Sequence, residues 1–525
     1  MKGRYVIKRK LKSLFKIIFG RTMIVVFGLL LQLAFIGAAL KFFSDRFVYF
    51  SAASVFLSVV VLVWIINDNT NPYYKLAWII PVMLIPFFGM ATYLFAKLEL
   101  GTHIMNDRIL KLIDETSPFI PQDQDTLDEI EKISVKEKNL AVYMKTYAGY
   151  PIWKNTYAQY YPVGEDFFAA VIPELESAKE FIFMEYFIVE RGHMWDTILE
   201  ILARKAKEGV DVRFMYDGMC SLMLVPYRYP KKLEAMGIKC KMFSPIKPVL
   251  STVQNNRDHR KILVVDGRTA FTGGINLADE YINKVERFGH WKDTAVMLKG
   301  EAVAGFTIMF LQNWNINEYG KEDSYANYIR TDFPELREKE LPAGGYVLPY
   351  GDSPLDNENV GQNVYLDILN RAEKYVHIMT PYLILDNEMT GALTYAAKRG
   401  VEVIIIMPHI PDKVYAYLLA RSYYSELIRS GVKIYEYTPG FIHAKGFVSD
   451  DKRAVVGSIN LDYRSLFLHF ECASYFYGHP VVAQVEQDMQ DTLKKCMQIS
   501  LEDCKRFNIF KKIAGHILRL FAPLM

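Results

Sequence analysis

The sequence predicts an α/β chain: N-terminal transmembrane helices followed by two pseudo-symmetric lobes that share one site. Three observations carry this. A signature of six residues occurs twice with one spacing, short apolar strands alternate with helical patterns around each copy, and three long uncharged runs precede both.

The first copy, "RDHRKILVVDGRTAFTGGIN", holds His259, Lys261, Asp266, Gly273, Gly274 and Asn276. The second, "FIHAKGFVSDDKRAVVGSIN", holds His443, Lys445, Asp450, Gly457, Ser458 and Asn460. Both read H-x-K, four residues, D, six residues, G-[G/S]-x-N. At about 5% usage per residue type, six fixed positions arise by chance on the order of once in 10⁷ starts. A duplication is the simpler account.

Taken in chain order, the runs Met23–Leu40, Phe47–Ile66 and Leu76–Ala96 are each long enough to span a bilayer as a helix, roughly 27 to 32 Å at about 1.5 Å per residue. Pro81 and Pro86 predict a kink in the third. The start of the chain, "MKGRYVIKRKLKSLFKIIFGR", is basic and free of acids, which favours its retention in the cytoplasm. Three spans from that side place the lobes on the extracytoplasmic face of the cell membrane. The expected division is 1–100 for the basic N-terminus and spans, 101–140 for a polar linker containing "PQDQDTLDEIEKISVKEK", 141–335 and 336–505 for the lobes, and 506–525 for an amphipathic tail.

Within the lobes, "KEFIFMEYFIVE", "MWDTILEILARKAKEG" and "VDVRFMYDG" read as strand, helix and strand. The second half repeats the pattern with "EKYVHIMTPYLIL", "MTGALTYAAKRG" and "VEVIIIMPHI". Each motif then reads as a β-hairpin, with His and Lys on one face at the start of its first strand. If those faces meet across an internal two-fold axis, two His, two Lys and two Asn line one cavity.

Such a cavity offers positive charge and amide donors, which suits a phosphate group. A neutral imidazole can attack phosphorus while a protonated one donates to the leaving oxygen, and the roles reverse when an alcohol arrives. Lys261 and Lys445 would hold the phosphate beside Asn276 and Asn460. Asp293 of "GHWKDTAVML" and Glu471 of "LHFECASYF" align between the copies and are the expected carboxylates that orient the histidines. Asp266 and Asp450 belong to the catalytic motif, although their place in a hairpin turn suits acids that hold it together.

Other chemistries find little support. His-x-Lys supplies no metal-ligand spacing, and neither a Walker loop nor G-x-G-x-x-G occurs, so no metal or cofactor is expected. Cys220, Cys240, Cys472, Cys496 and Cys504 are scattered, as buried thiols would be. Three hydrophobic runs and near-neutral lobes speak against a nucleic-acid groove.

These motifs resemble the phospholipase D superfamily, and "FTGGINLADEY", "YGDSPLD", "VGSINLDYRS" and "RLFAPLM" narrow the resemblance to the bacterial cardiolipin synthases. The resemblance covers nearly the whole chain. It implies two phospholipase-D-like α/β/α sandwich lobes with one active site, and transfer of a phosphatidyl group between two phosphatidylglycerol molecules through a phosphatidyl-histidine. It also implies anionic membrane lipids as partners, and His259 and His443 as the groups of covalent and proton-transfer catalysis. Which histidine is the nucleophile is not encoded in the spacing; His259 is preferred. That family usually carries two membrane spans, so Met23–Leu40 is extra here. A hydrolase admitting water, or a transferase using another alcohol, would keep the same motif; an inert scaffold would be free to lose it. The tail carries Ile509, Ile513, Ile517 and Leu520 on one helical face with Lys511, Lys512 and Arg519 offset, fit to lie on anionic lipid or to dock on its own lobe.

Overall fold

The computed structural model describes residues 34, 37, 41 and 47–524, except for 69, 98–99, 221–223, 227, 246–255, 319–322, 334–343 and 357. The first expected span, Met23–Leu40, therefore lies outside the described residues apart from two positions. The second is helix α1 (Phe47–Asn67). The third is corrected to two helices, α2 (Pro72–Leu84) and α3 (Pro86–Lys97), broken at Ile85 where Pro86 removes a backbone donor. The pair folds tightly: a Cβ on Gly89 would lie 2.4 Å from the Pro81 carbonyl carbon. Among the described residues no helix is long and apolar enough to cross a membrane.

The expected polar linker is corrected as well. It forms α4 (Leu100–Thr116), α5 (Gln124–Ile133) and α6 (Val135–Thr146). Leu112, Leu127, Ile130 and Leu140 bury in the main core, a helical spacing masked in the sequence by the charged residues between them. Glu137 ties this layer to the second lobe: it is buried, accepts from Arg453 Nε at 2.7 Å, and accepts from the Tyr475 hydroxyl at 2.6 Å.

The two lobes share one topology. In the first, β1 (Thr156–Tyr161), β2 (Phe181–Tyr186), β3 (Asp211–Asp217), β4 (Lys239–Phe243), β6 (Lys261–Val265), β7 (Thr269–Gly273) and β9 (Ala295–Gly300) form a mixed sheet in the order β1-β9-β7-β6-β2-β3-β4. In the second, β10 (Tyr346–Asp352), β11 (Tyr375–Met379), β12 (Glu402–Pro408), β13 (Lys433–Tyr437), β15 (Gly446–Ser449), β16 (Arg453–Gly457), β17 (His469–Tyr477) and β18 (Cys496–Ile499) follow β10-β17-β16-β15-β11-β12-β13-β18. Both motifs are the antiparallel hairpins that the sequence predicts, β6 with β7 and β15 with β16.

Alternation along the strands builds the layers. Ile182, Met184, Leu263 and Val265 pack under the outer helices of the first lobe. Phe181, Phe183, Ile262 and Val264 face the other way, into a core that runs on into the second lobe.

Three short strands cross between lobes. β5 (Arg257–Asp258) of the first lobe pairs in parallel with β17, while β14 (Gly440–Ile442) of the second pairs in parallel with β8 (His290–Lys292). Each of these short strands lies beside a motif histidine or the carboxylate that it needs.

Asp266 and Asp450 serve this architecture. Asp266 accepts the backbone N–H groups of Lys179, Glu180 and Phe181, each at 2.8 Å. Asp450 does the same for Glu373, Lys374 and Tyr375 at 2.8 to 3.0 Å. Both sit at positive φ, 52° and 56°, which Asp tolerates in a tight turn. They register the motif hairpin on the neighbouring strand, so their part in the site is to position it.

Asp450→Ala should therefore lower stability by about 1–3 kcal/mol, since three backbone amides at the start of β11 lose a charged acceptor. Thermal unfolding of the full chain reads this, and a midpoint within a degree of wild type would contradict the positioning role.

Candidate active site

Each motif histidine begins with a backbone bond to the opposite lobe. His259 donates its N–H to Phe470 O at 2.9 Å, and His443 donates to Lys292 O at 2.7 Å. The side chains repeat the exchange. His259 Nδ1 lies 2.8 and 3.0 Å from the two oxygens of Glu471, and His443 Nδ1 lies 2.6 Å from Asp293 Oδ2. The carboxylates thus stand behind the histidines as the sequence predicts, but crossed between lobes, which repeat alignment alone does not reveal.

A carboxylate only accepts, so each imidazole donates from Nδ1 and keeps a lone pair on Nε2. That is the tautomer of a nucleophile or base. Both histidines are only 7% exposed. Burial, with Lys261 and then Lys445, holds His259 well below the ordinary imidazole range; burial, Lys445 and Lys261 do the same for His443. At neutral pH the unliganded rings are uncharged.

The lysines are buried beside them. Lys261 Nζ donates to His259 O, and Lys445 Nζ donates to His443 O and lies 2.8 Å from His443 Nδ1. Burial pushes Lys261 down to about 8 and Lys445 down to about 7, and it raises Asp293 to about 6. Two cations buried this closely repel one another, and an anion that docks between them relieves that cost.

Asn276 and Asn460 close the motif. Asn276 accepts from Ile188 N–H at 3.0 Å and donates to the Tyr281 hydroxyl at 2.8 Å, which leaves its second amide hydrogen for a ligand. Asn460 donates to Ser465 Oγ at 3.0 Å, and its buried Oδ1 has no hydrogen-bond partner among the described residues.

The variable motif position has a physical explanation. Gly274 lets Asp293 close in, since a Cβ there would lie 2.0 Å from Asp293 Oδ1. At the matching place Ser458 donates its hydroxyl to Glu471 Oε2, so the longer acid has a hydroxyl to bind. The rings around the histidines were not legible in the sequence. Trp291 packs 5.5 Å from His443, with Tyr281 at 5.6 Å, whereas His259 meets Phe187 at 5.0 Å and His469 at 5.5 Å. Trp291 and His469 stand two residues before Asp293 and Glu471, and that shared offset was the available signal.

Among the described residues, His259, His469 and Glu471 are the group whose donor atoms come within 4.8 Å of one another, as a metal site would require. Glu471 instead commits its oxygens to His259 and Ser458. The cysteines are buried except for half-buried Cys496, and none is paired.

A family profile described as "Cardiolipin synthase, PLD-like domain" matches residues 171–304 and 365–493, and one described as "Phospholipase_D-nuclease N-terminal" matches 56–97. The chain belongs to the cardiolipin synthase family of the phospholipase D superfamily. It is 33% identical to "Cardiolipin synthase 2" of Bacillus anthracis, over 87% of this chain and 88% of that one. An uncharacterized protein of Streptococcus mutans is 47% identical over 88% of this chain and 99% of its own. Among solved structures, the phosphatidylserine synthase of Haemophilus influenzae superposes with a TM-score of 0.55 at 16% identity, covering 74% of this chain and 96% of that one, a likeness of fold. The chain is a phospholipid phosphatidyltransferase of the phospholipase D type.

The crossed carboxylates generate a sharp expectation. Asp293→Asn and Glu471→Gln should each lower turnover by about 10³ to 10⁴ with little change in unfolding temperature, because a wrong tautomer at either histidine stops the cycle. Turnover within tenfold of wild type in either variant would contradict the pairing.

Proposed function

We propose that this enzyme makes cardiolipin from two molecules of phosphatidylglycerol, with Nε2 of His259 as nucleophile and His443 as acid and then base. One observation carries the reading: two buried neutral histidines, each oriented by a carboxylate of the other lobe, face the same pair of buried lysines.

In the first step Nε2 of His259 forms a bond to phosphorus and the P–O bond to the headgroup glycerol breaks. The bound phosphate offsets the lysine charges, so that His443 takes up a proton in the complex and donates it to the departing alkoxide. Neutral His443 then accepts the proton of a hydroxyl on a second phosphatidylglycerol, whose oxygen attacks phosphorus as the P–N bond breaks. Lys261, Lys445 and the amide hydrogens of Asn276 and Asn460 meet the equatorial oxygens, each such donor contributing on the order of 3 kcal/mol. Bonds and protons balance without nucleotide or metal.

Burial supports transfer to an alcohol over hydrolysis, because a water-poor site favours an acceptor that arrives with its own binding energy. We further propose that the N-terminal helices hold the lobes at a cell membrane, where both substrates reside; the apolar character of α1 and the match of 56–97 to the N-terminal family profile support this.

Mass spectrometry of lipids after incubation of purified enzyme with phosphatidylglycerol vesicles, free of nucleotide and divalent metal, tests the reaction. Cardiolipin with equimolar glycerol is expected, with loss of both products in His259→Ala and in His443→Ala. Phosphatidic acid as the sole product would sink the synthase reading. The lysines predict the pH response. Their ammonium forms are nearly complete below about pH 6 and are lost as pH rises through about 7 to 8, so KM for phosphatidylglycerol should rise across that window. Lys445→Arg should move the rise to higher pH, and a KM flat from pH 6.5 to 9 in wild type would contradict the role of the lysines.

A further inference from the structure

The C-terminal helix, Ile509–Phe521, docks on the second lobe with its small and cationic side. Gly515 is buried, and a Cβ there would lie 2.4 Å from the Leu418 carbonyl oxygen. Arg519 sits 4.1 Å from the Tyr423 ring centroid and pairs with Glu426 at 3.4 Å. The apolar side turns outward. Ile509, Phe510, Ile513, Ile517, Leu520 and Phe521 are all between 49% and 78% exposed. At about 100° per residue these six fall within an arc of roughly 120°, one unbroken stripe. A single exposed leucine needs no explanation, but a whole helical face in contact with water does.

Three observations identify what covers the stripe. It is continuous with the N-terminal helices: Ala522–Leu524 packs on α2, whose Leu76, Met83 and Leu84 are themselves exposed. The stripe is flanked by the exposed cations Lys505, Arg506 and Lys511, which suits a surface that is both apolar and anionic. Finally, the helix on which it docks, Val414–Arg429, follows a loop tied to the site: Ile410 donates its N–H to Gly440 O at 3.5 Å, on the strand β14 that leads into His443. Lys413 immediately before it acts electrostatically on both His259 and His443, and Ile410, Val414 and Tyr415 beside it are exposed.

We propose that the C-terminal helix lies in the headgroup layer of an anionic bilayer with its apolar stripe toward the acyl chains. Through the helix Val414–Arg429 it holds the rim of the site against the membrane. The anchor stands on the geometry alone; its consequence, that a diacyl phosphodiester reaches the histidines without leaving the bilayer, rests on the proposed reaction. The small face at Gly515 explains why the helix is inverted relative to an ordinary surface helix: it touches protein through its backbone and Leu518 and leaves its other large apolar side chains outward for lipid.

The test uses the full chain in vesicles of phosphatidylglycerol and phosphatidylcholine. An environment-sensitive fluorophore is placed at Ile517→Cys or, as a control on the lobe surface, at Lys494→Cys, with the labelled wild type as blank. Nitroxide-bearing lipids should quench the label at 517 several-fold and leave the label at 494 untouched. No quenching at 517, equal quenching at both positions, or a cross-linked dimer through 517 that excludes lipid would overturn the anchor. In a second measurement Ile513→Glu/Ile517→Glu should lower the ratio of turnover on vesicles to turnover on short-chain monomeric phosphatidylglycerol about tenfold. Equal loss on both substrates would mean a structural defect and overturn the proposal. If wild type turned over neither substrate the reaction would be wrong, while the quenching would still decide the anchor.

Discussion

The reciprocal exchange between lobes is the constraint on which the rest depends. His259 takes its backbone acceptor and its carboxylate from the second lobe, and His443 takes both from the first. Neither lobe holds a complete half-site by itself. The short parallel pairs β5 with β17 and β14 with β8 enforce the exchange, because they fix the register of each histidine against the strand that carries its acid or leads into it. Any relative slip of the lobes would break both histidine pairs together.

Electrostatics follows from that closure. Two lysines packed beside two histidines in a buried space depress one another's protonation, and burial is the leading cause for all four. The unliganded site is poised for an anion: the histidines are neutral, the lysines are near their titration range, and amide hydrogens remain unspent. The acids that would otherwise neutralise the cluster are held at fixed places behind the imidazoles, with Gly274 making room for one and Ser458 donating to the other. A phosphodiester supplies the missing charge and relieves the crowding, so binding and activation are the same event.

Around this centre the chain divides its surface by partner. The helices between the membrane-like segment and the lobes are docked, with Glu137 buried against Arg453 and Tyr475. α2 touches the C-terminal turn, and Asn71 donates to Asp386 of the second lobe at 3.1 Å. Apolar side chains exposed on α1, α2 and the C-terminal helix therefore belong to one end of the molecule, the second lobe's end that also bears the rim at Lys413.

The sequence by itself determined the duplication, the two hairpins, the six residue types at each motif and the carboxylates Asp293 and Glu471, because strand periodicity and fixed spacing are local properties written in the order of residues. It misled where neighbours in the chain disguised the pattern. Charges hid the helices of 100–146. Only the tertiary structure decided that the carboxylates cross between lobes, that Trp291 and His469 face different histidines, and that the C-terminal stripe points away from the lobe. Each of these depends on which surfaces meet across the pseudo-two-fold axis or at a backbone contact such as Gly515 with Leu418. A contact between residues some 150 to 212 positions apart leaves no periodic trace in the chain that makes it.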